Sequence, residues 1–294
     1  MTKRFYPLKK GDAIGVIAPS ARFDENRLNQ GIECLETLGF EVHVPGAIFQ
    51  EERYLAGDDA CRAGVVNSLF ADPKIKGIIA ARGGFGAMRM LACLDWETIR
   101  KNPKLVIGFS DATALLTAVV QQARFAVVHG PNLVSLANAD PLTISSFYQT
   151  ITGNRAEILI SQGQCLEPGQ AAGKLLGGNL ATLTHLIGTP FQPDFMGAVL
   201  FLEDVGEPAY KIDRMLSQMK MAGLFHGVQG VITGSFEKCD NPEYIPRILM
   251  EIFDGLPLFM GLSAGHGDPN LSLAMGLDVL LDTARATLTW QAIA

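Results

Sequence analysis

The amino-acid sequence predicts an α/β fold: a first half built on a parallel sheet with helices on both faces, and a second half that is a further α/β unit. Three observations carry that expectation. Apolar runs of strand length, such as Ala13 to Ala18, Lys76 to Ala81 and Lys104 to Gly108, show no polar alternation, which marks strands buried on both sides. Between them lie stretches with apolar residues at helical spacing, so strand and helix alternate. The chain has 294 residues, 48% of them apolar, enough for two domains with a core each.

Each element follows from its local pattern. Asp12 to Ala18 is a first strand closed by Pro19-Ser20, and Glu25 to Leu38 is a helix on the period of Leu28, Ile32, Leu35 and Leu38. Gly39 stops it; Glu41 to Val44 is a short strand, and Asp58 opens a helix that runs to Phe70. The third strand, Lys76 to Ala81, meets Arg82-Gly83-Gly84-Phe85-Gly86 and then a helix through Met88, Leu91 and Leu94. Lys104 to Gly108 is the next strand, turning at Ser110 into a helix, and Phe125 to Val128 closes the series. The pattern weakens after Asn138, with one helix from Leu142 to Ile151 and a strand from Ala156 to Ile160, so residues 141–172 read as a passage between domains 1–140 and 173–294. Beyond it come a helix through Leu186, strand Ala198 to Leu202, helix Tyr210 to Met221, strand Val228 to Thr233 and helix Pro242 to Phe253. Strand Leu258 to Leu262 and a hairpin of Leu277 to Leu281 with Ala286 to Trp290 end the chain.

Composition narrows the function. A net charge of -6 and a pI near 5.4 argue against nucleic acid or an anionic membrane as the main partner. Lys3, Arg4, Lys9 and Lys10 precede an apolar run too short for a signal segment, and no stretch approaches a membrane span, so a cytoplasmic protein is expected. Cys34, Cys61, Cys93, Cys165 and Cys239 are scattered without Cys-x-x-Cys spacing, and small buried apolar roles are expected for them. No Gly-x-Gly-x-x-Gly follows the first strand and no phosphate-binding Gly-x-x-x-x-Gly-Lys occurs, so no nucleotide cofactor is expected; no metal-ligand spacing such as His-Glu-x-x-His occurs either.

The candidate chemistry centres on Ser110. A serine where a strand turns into a helix stands exposed at the end of the sheet beside the first helical amides, as a nucleophile does; the same position suits an N-cap, which local sequence alone favours. Gly83 and Gly84 form a tight turn, or supply amides that join that of Asp111 in an oxyanion hole, since both loops fall at one end of a parallel sheet. Among the histidines, His43, His129, His185 and His226 lie in or beside regular elements, whereas His266 stands in the glycine-flanked loop Ser263-Ala264-Gly265-His266-Gly267-Asp268. Glu203 ends a strongly apolar strand and needs a partner such as a histidine N–H; with Asp204 and Glu207 it suits a helix N-terminus equally. Arg82 is a candidate for a substrate carboxylate or for a salt bridge supporting its loop.

Taken together, Arg82-Gly83-Gly84-Phe85-Gly86, Gly108-Phe109-Ser110-Asp111, Leu176-Gly177-Gly178-Asn179-Leu180, Leu202-Glu203-Asp204 and Gly265-His266 occur in the order found in the LD-carboxypeptidases, which the chain resembles over nearly its whole length. The resemblance implies a metal-independent serine peptidase without cofactor, Ser110 being the nucleophile, His266 the base and Glu203 its orienting acid. Backbone amides of Asp111 and the Gly83-Gly84 turn would form the oxyanion hole. It also implies an N-terminal domain like class I glutamine amidotransferases, a C-terminal domain containing a small β-barrel, and a homodimer. The family usually has Tyr where this chain has Phe85, which removes a hydroxyl and leaves the backbone role. The implied substrate is a murein tetrapeptide losing its terminal D-Ala. The alternatives are cleavage of a modified peptide such as a peptide-nucleotide antibiotic in self-immunity, a two-lobed ligand-binding protein without catalysis, and a class I glutamine amidotransferase, which the missing elbow cysteine disfavours.

Overall fold

The computed structural model describes residues 5–160 and 162–291; Lys3 and Arg4 of the N-terminal basic set lie outside the described residues. In the first half β1 (Ala13–Ile17) leads to α1 (Glu25–Thr37), β2 (Glu41–His43) to α2 (Asp59–Ala71), and β3 (Ile75–Ala80) to α3 (Ala87–Met90) and α4 (Trp96–Lys101). There follow β4 (Leu105–Gly108), α5 (Thr113–Ala118), β5 (Val127–His129), α6 (Leu133–Leu136) and α7 (Pro141–Ile151). The second half contains β6 (Glu157–Leu159), β7 (Gln164–Glu167), β8 (Gln170–Asn179), α8 (Leu180–His185), β9 (Ala198–Val205), α9 (Ala209–Met221) and β10 (Gly230–Glu237). It ends with α10 (Ile245–Ile252), β11 (Leu258–Met260), β12 (Leu273–Met275), β13 (Asp278–Asp282) and β14 (Thr287–Trp290). Aspartates start the helices as expected: Asp24 and Asp58 accept amide hydrogen bonds in the first turns of α1 and α2.

The first sheet runs β12-β5-β4-β3-β1-β2, with β1 to β5 parallel. Strand order reverses between β1 and β3, so the loops after β1, β3 and β4 open side by side at the carboxyl ends of the strands, where such sheets bind ligands. Its sixth strand comes from the other half of the chain: β12 pairs antiparallel with β5, Leu273 opposite His129. Three residues inside a loop-like stretch carry no strand pattern of their own, which is why β12 is absent from the sequence reading.

The second sheet is mixed, in the order β6-β14-β13-β8-β9-β10-β11-β7. Strands β8 to β11 are parallel, connected through α8, α9 and α10, which cover one face with Leu183, Ile212, Leu216, Met219 and Leu249 against Leu200, Leu202 and Val231. The opposite face carries Val199, Phe201 and Ile232 into the same apolar core as the first sheet. Strand parity on β9 therefore sorts alternate residues between the helices and the other half of the molecule.

Residues 141–172, expected as a passage between domains, are instead built into both halves. α7 buries Phe147 in the first core, while β6 and β7 are strands of the second sheet, at its two opposite edges. Only the short segment from Leu159 to Gln164 joins those edges, a reach of about 18 Å at full extension. A flat sheet of eight strands would separate them by about 33 Å, so the sheet curls. The glycine-rich run expected to open the second half is the inner part of β8. There a Cβ on Gly177 would lie 1.9 Å from the Phe201 carbonyl oxygen, and one on Gly178 2.7 Å from the Thr113 methyl group. Both residues have positive φ; the missing side chain of Gly177 lets β8 lie close along β9, and that of Gly178 lets it approach α5. The cysteines depart from expectation: Cys239 is buried, Cys34 and Cys61 are half-buried, and Cys93 and Cys165 are exposed.

Because β12 ties the second half into the first sheet, Leu273→Ala is expected to cost about 2–5 kcal/mol of stability. Urea denaturation checks this. Trp290, whose indole N–H donates to the Ala274 carbonyl at 2.8 Å, reports on the strand directly, and its fluorescence transition should move to lower urea.

Candidate active site

Ser110 follows β4 with φ of 61°, a left-handed conformation uncommon outside glycine, asparagine and aspartate. Holding a serine there costs about 1–2 kcal/mol and turns its side chain out at the strand end, as in a nucleophile elbow. The N-cap alternative fails, because neither the short turn Ser110–Ala112 nor α5 has a side-chain cap.

The elbow is held by buried polar groups from neighbouring loops. The Asp111 carboxylate points away from Ser110 and accepts from Ser20 Oγ at 2.6 Å and the Ala87 amide at 2.8 Å, joining the loops after β1 and β3 to the elbow. Burial pushes the Asp111 pKa up, against the pull of those two donors. Asn132 Oδ1 accepts from the Phe109 amide at 3.3 Å. The buried Arg62 donates to the carbonyls of Pro19, Gly57 and Gly86 and pairs with Asp59, fixing the glycine loop from beneath. A Cβ on Gly83 would lie 2.8 Å from that of Ser110, so only glycine lets this backbone approach the hydroxyl. The amides of Gly83, Gly84 and Asp111 find no protein acceptor among the described residues.

The second half contributes an acid and an imidazole. Parity on β9 turns Glu203, like Phe201, toward the first sheet, fully buried. Its Oε2 accepts from His266 Nδ1 at 2.7 Å, which assigns the proton of a neutral ring to Nδ1 and leaves Nε2 as the base nitrogen. His266 follows Gly265, where a Cβ would sit 2.5 Å from that same carboxylate oxygen, and precedes Gly267, whose amide donates to Ser235 Oγ at 3.0 Å. Asp204, one residue on, faces the helices instead. It accepts from the Ala181 and Val205 amides and Asn179 Nδ2 at 2.8–3.1 Å, holding the start of α8. Asp204 thus serves the terminus of α8 and not that of the helix following the acidic run, and the imidazole contact belongs to Glu203.

The two halves meet at the Phe109 ring, whose centroid lies 4.8 Å from that of His266, so the imidazole stands beside the residue that precedes Ser110. Ser110 and His266 share no direct hydrogen bond among the described residues; such bonds are often long before substrate arrives. His43, His185 and His226 are exposed, and none of them takes part in this contact. His129 was set aside in the sequence because it follows a strand, yet it is buried against Phe109 and Phe201. Arg82 is exposed and donates to the Arg22 carbonyl at 2.8 Å; it supports its loop through backbone and has no acidic partner among the described residues. Ser20, Asn132 and Arg62 were not legible as site residues, since each acts on a loop remote in sequence. Among the described residues no group of three or more His, Cys, Asp or Glu is placed to hold a metal ion.

Fold and site define a two-sheet α/β protein with an elbow serine on one half and a carboxylate-held imidazole on the other, the parts list of a serine hydrolase. The chain belongs to the LD-carboxypeptidase family: residues 14–130 match the LD-carboxypeptidase N-terminal domain and residues 172–281 the C-terminal domain. It is 36% identical to the probable murein peptide carboxypeptidase of Bacillus subtilis, over 97% of this chain and 93% of that one. It is 29% identical to the murein tetrapeptide carboxypeptidase of Pseudomonas aeruginosa, over 94% of each. Among solved structures it resembles MccF in complex with glutamyl sulfamoyl guanosine, with a TM-score of 0.90, 27% identity and 99% of both chains covered.

Burial, outweighing three donors, pushes the Asp204 pKa from 3.8 to about 6. A carboxyl that holds its proton more tightly when folded stabilises the fold fully below pH 4 and loses that contribution as pH rises through 6, about 3 kcal/mol in all. Urea midpoints of wild type and Asp204→Asn, measured from pH 4 to 7.5, should therefore diverge in favour of the variant as pH rises. A pH-independent difference would remove this account of Asp204.

Proposed function

We propose that this chain is a serine LD-carboxypeptidase that releases the terminal D-Ala of a cytoplasmic murein tetrapeptide, in peptidoglycan recycling. The observation that carries the reading is the Glu203–His266 hydrogen bond beside the strained Ser110 elbow, in a chain with murein carboxypeptidases among its relatives. His266 Nε2 takes the Ser110 proton as Oγ attacks the carbonyl between the L-centre of the diamino acid and D-Ala. Glu203 keeps the ring in its Nδ1–H tautomer and stabilises the imidazolium that forms. The free amides of Asp111 and the Gly83-Gly84 turn receive the oxyanion. Protonated by His266, D-Ala leaves, and a water activated by the same imidazole releases the tripeptide from Ser110. The spare N–H groups of Arg82 suit the free carboxylate of D-Ala. No metal enters any step. The likeness to class I glutamine amidotransferases, the small barrel as the form of the curled second sheet, and a homodimer belong to the same reading.

A second reading is favoured by the close structural likeness to MccF, named in Escherichia coli as the microcin C7 self-immunity protein. On that reading the same triad cleaves an aminoacyl group from a nucleotide-like leaving group. The pair of exposed rings Tyr54 and Phe85, with centroids 5.9 Å apart, is then the available stacking surface near the glycine turn.

Incubation with L-Ala-γ-D-Glu-diaminopimelate-D-Ala should release D-Ala at a rate EDTA leaves unchanged. Ser110→Ala should lower it on the order of 10⁴-fold or more while the circular dichroism stays native. Cleavage of an aminoacyl sulfamoyl nucleoside without release of D-Ala would move the assignment to the second reading, and release that survives in Ser110→Ala would end the serine mechanism.

A further inference from the structure

The contact between the two halves contains a second imidazole that the triad does not use. His129, at the end of β5, is 1% exposed, and neither ring nitrogen has a hydrogen-bond partner. Glu203, fully buried, spends Oε2 on His266 and leaves Oε1 equally without a partner. Buried polar atoms in proteins are almost always satisfied, because an orphan forfeits the hydrogen bonds it made in water. Orphans of complementary kind on two neighbouring side chains, a donor and a carboxylate oxygen, are therefore the places to look for one another.

The aromatic geometry puts them in reach. The His129 ring stands edge-on to Phe201 at 4.9 Å, and Phe201 is the residue next to Glu203 on the same face of β9. Phe109 lies between the two imidazoles, 6.2 Å from His129 and 4.8 Å from His266. Glu203, His266, Phe109, His129 and Phe201 thus form a closed ring around one buried carboxylate.

We propose that His129 is a positioning residue for the triad: a neutral imidazole whose N–H serves Glu203 Oε1 through one buried water, so that Oε2 stays on His266. Two polar groups facing each other in an apolar wall are the setting that retains such a water. Burial pushes the His129 pKa down to about 4, against the pull of Glu203, so the ring is neutral across the working range and donates without adding charge. Of the other titratable groups around the pair, Asp204 is committed to the start of α8 and Asp111 to Ser20 and Ala87, while Glu237, at the end of β10, lies beside Gly267 on the His266 loop.

The inference rests on the serine-peptidase reading for its kinetic test and is independent of it for its spectroscopic one. In His129→Phe, which keeps the edge-on packing and removes the donor, kcat for D-Ala release should fall about tenfold or more with KM within about twofold. The acid limb of the pH profile should move to higher pH, because a carboxylate with an unserved oxygen holds the imidazolium harder. His129→Gln, which restores an N–H near the same place, should recover most of the rate and the wild-type limb. Equal impairment of both variants with an unmoved acid limb would overturn the proposal in favour of packing alone. In wild-type protein labelled with ¹⁵N-histidine, His129 should show one neutral tautomer with a slowly exchanging N–H from pH 5 to 8, shifted in Glu203→Gln. Two interconverting tautomers, or a signal indifferent to Glu203→Gln, would overturn it even if the protein folds poorly with Phe at 129 or does not cleave murein peptides at all.

Discussion

The buried carboxylate of Glu203 is the constraint to which the rest of the molecule answers. A carboxylate with no solvent exposure costs several kcal/mol unless it is well bonded, so the chain must deliver a donor to it. That donor is His266, carried on a loop whose shape is dictated by the acid: a Cβ on Gly265 would lie 2.5 Å from Oε2, and one on Gly234 of β10 3.1 Å from the Glu203 Cβ. The carboxylate sits on the face of β9 that shares its core with the first sheet, so satisfying it and joining the two halves are one event. β12 reinforces the join by returning the chain, a few residues after His266, to the edge of the first sheet.

On the other side of that contact the elbow is kept in an unfavourable backbone conformation by bonds that are themselves buried. Ser20, Asp111, Ala87, Asn132 and Arg62 come from five different loops and elements, and together their bonds tie the loops at the carboxyl ends of β1, β3 and β4. Because these partners are out of water, their bonds hold more firmly than surface pairs would, and strain at Ser110 can persist. The Asp111 side chain and backbone divide their work: the carboxylate ties loops together while the amide faces Ser110. A substitution there would loosen the loops and disturb the backbone beside Ser110 together.

Much of this was legible in the sequence, and the remainder shows where sequence patterns lose information. Apolar runs and helical periods identified the parallel strands and major helices of both halves, because burial on both faces leaves a local signature. Ser110, Gly83, Gly84, Glu203 and His266 stood out because each is an unusual residue at the end of an apolar strand. The choice between Glu203 and Asp204 was not available from their common environment; it is made by strand parity, one pointing at His266 and the other at α8. β6 falls within the strand expected from Ala156 to Ile160, whereas β12 and the edge strand β7 escaped notice because short strands draw their pairing from partners remote in the chain. Arg62, Asn132 and His129 escaped for the same reason: nothing beside them in sequence indicates the carbonyls, amides and rings they meet. The buried role expected of all the cysteines failed because a small apolar residue is tolerated at the surface as readily as in the core.

These constraints also divide the molecule into a part that chemistry fixes and a part it leaves free. Glu203 is buried, the Gly83, Gly84 and Asp111 amides are backbone, His266 is glycine-flanked and Ser110 is held by its backbone conformation, so the centre read as handling the acyl transfer tolerates little change. The rim beyond it is different. Arg82, Tyr54 and Phe85 are exposed, and the side chain of Phe85 can lose or gain a hydroxyl without disturbing the Gly83–Gly84 amides. A leaving group would meet this rim rather than the buried ring around Glu203. One scaffold can therefore keep the same elbow and imidazole while its relatives carry names as different as murein peptide carboxypeptidase and microcin self-immunity protein. On this division, the solvent-facing side chains at the mouth are the part of this chain free to vary, and the contact between the sheets is the part its buried polar groups hold fixed.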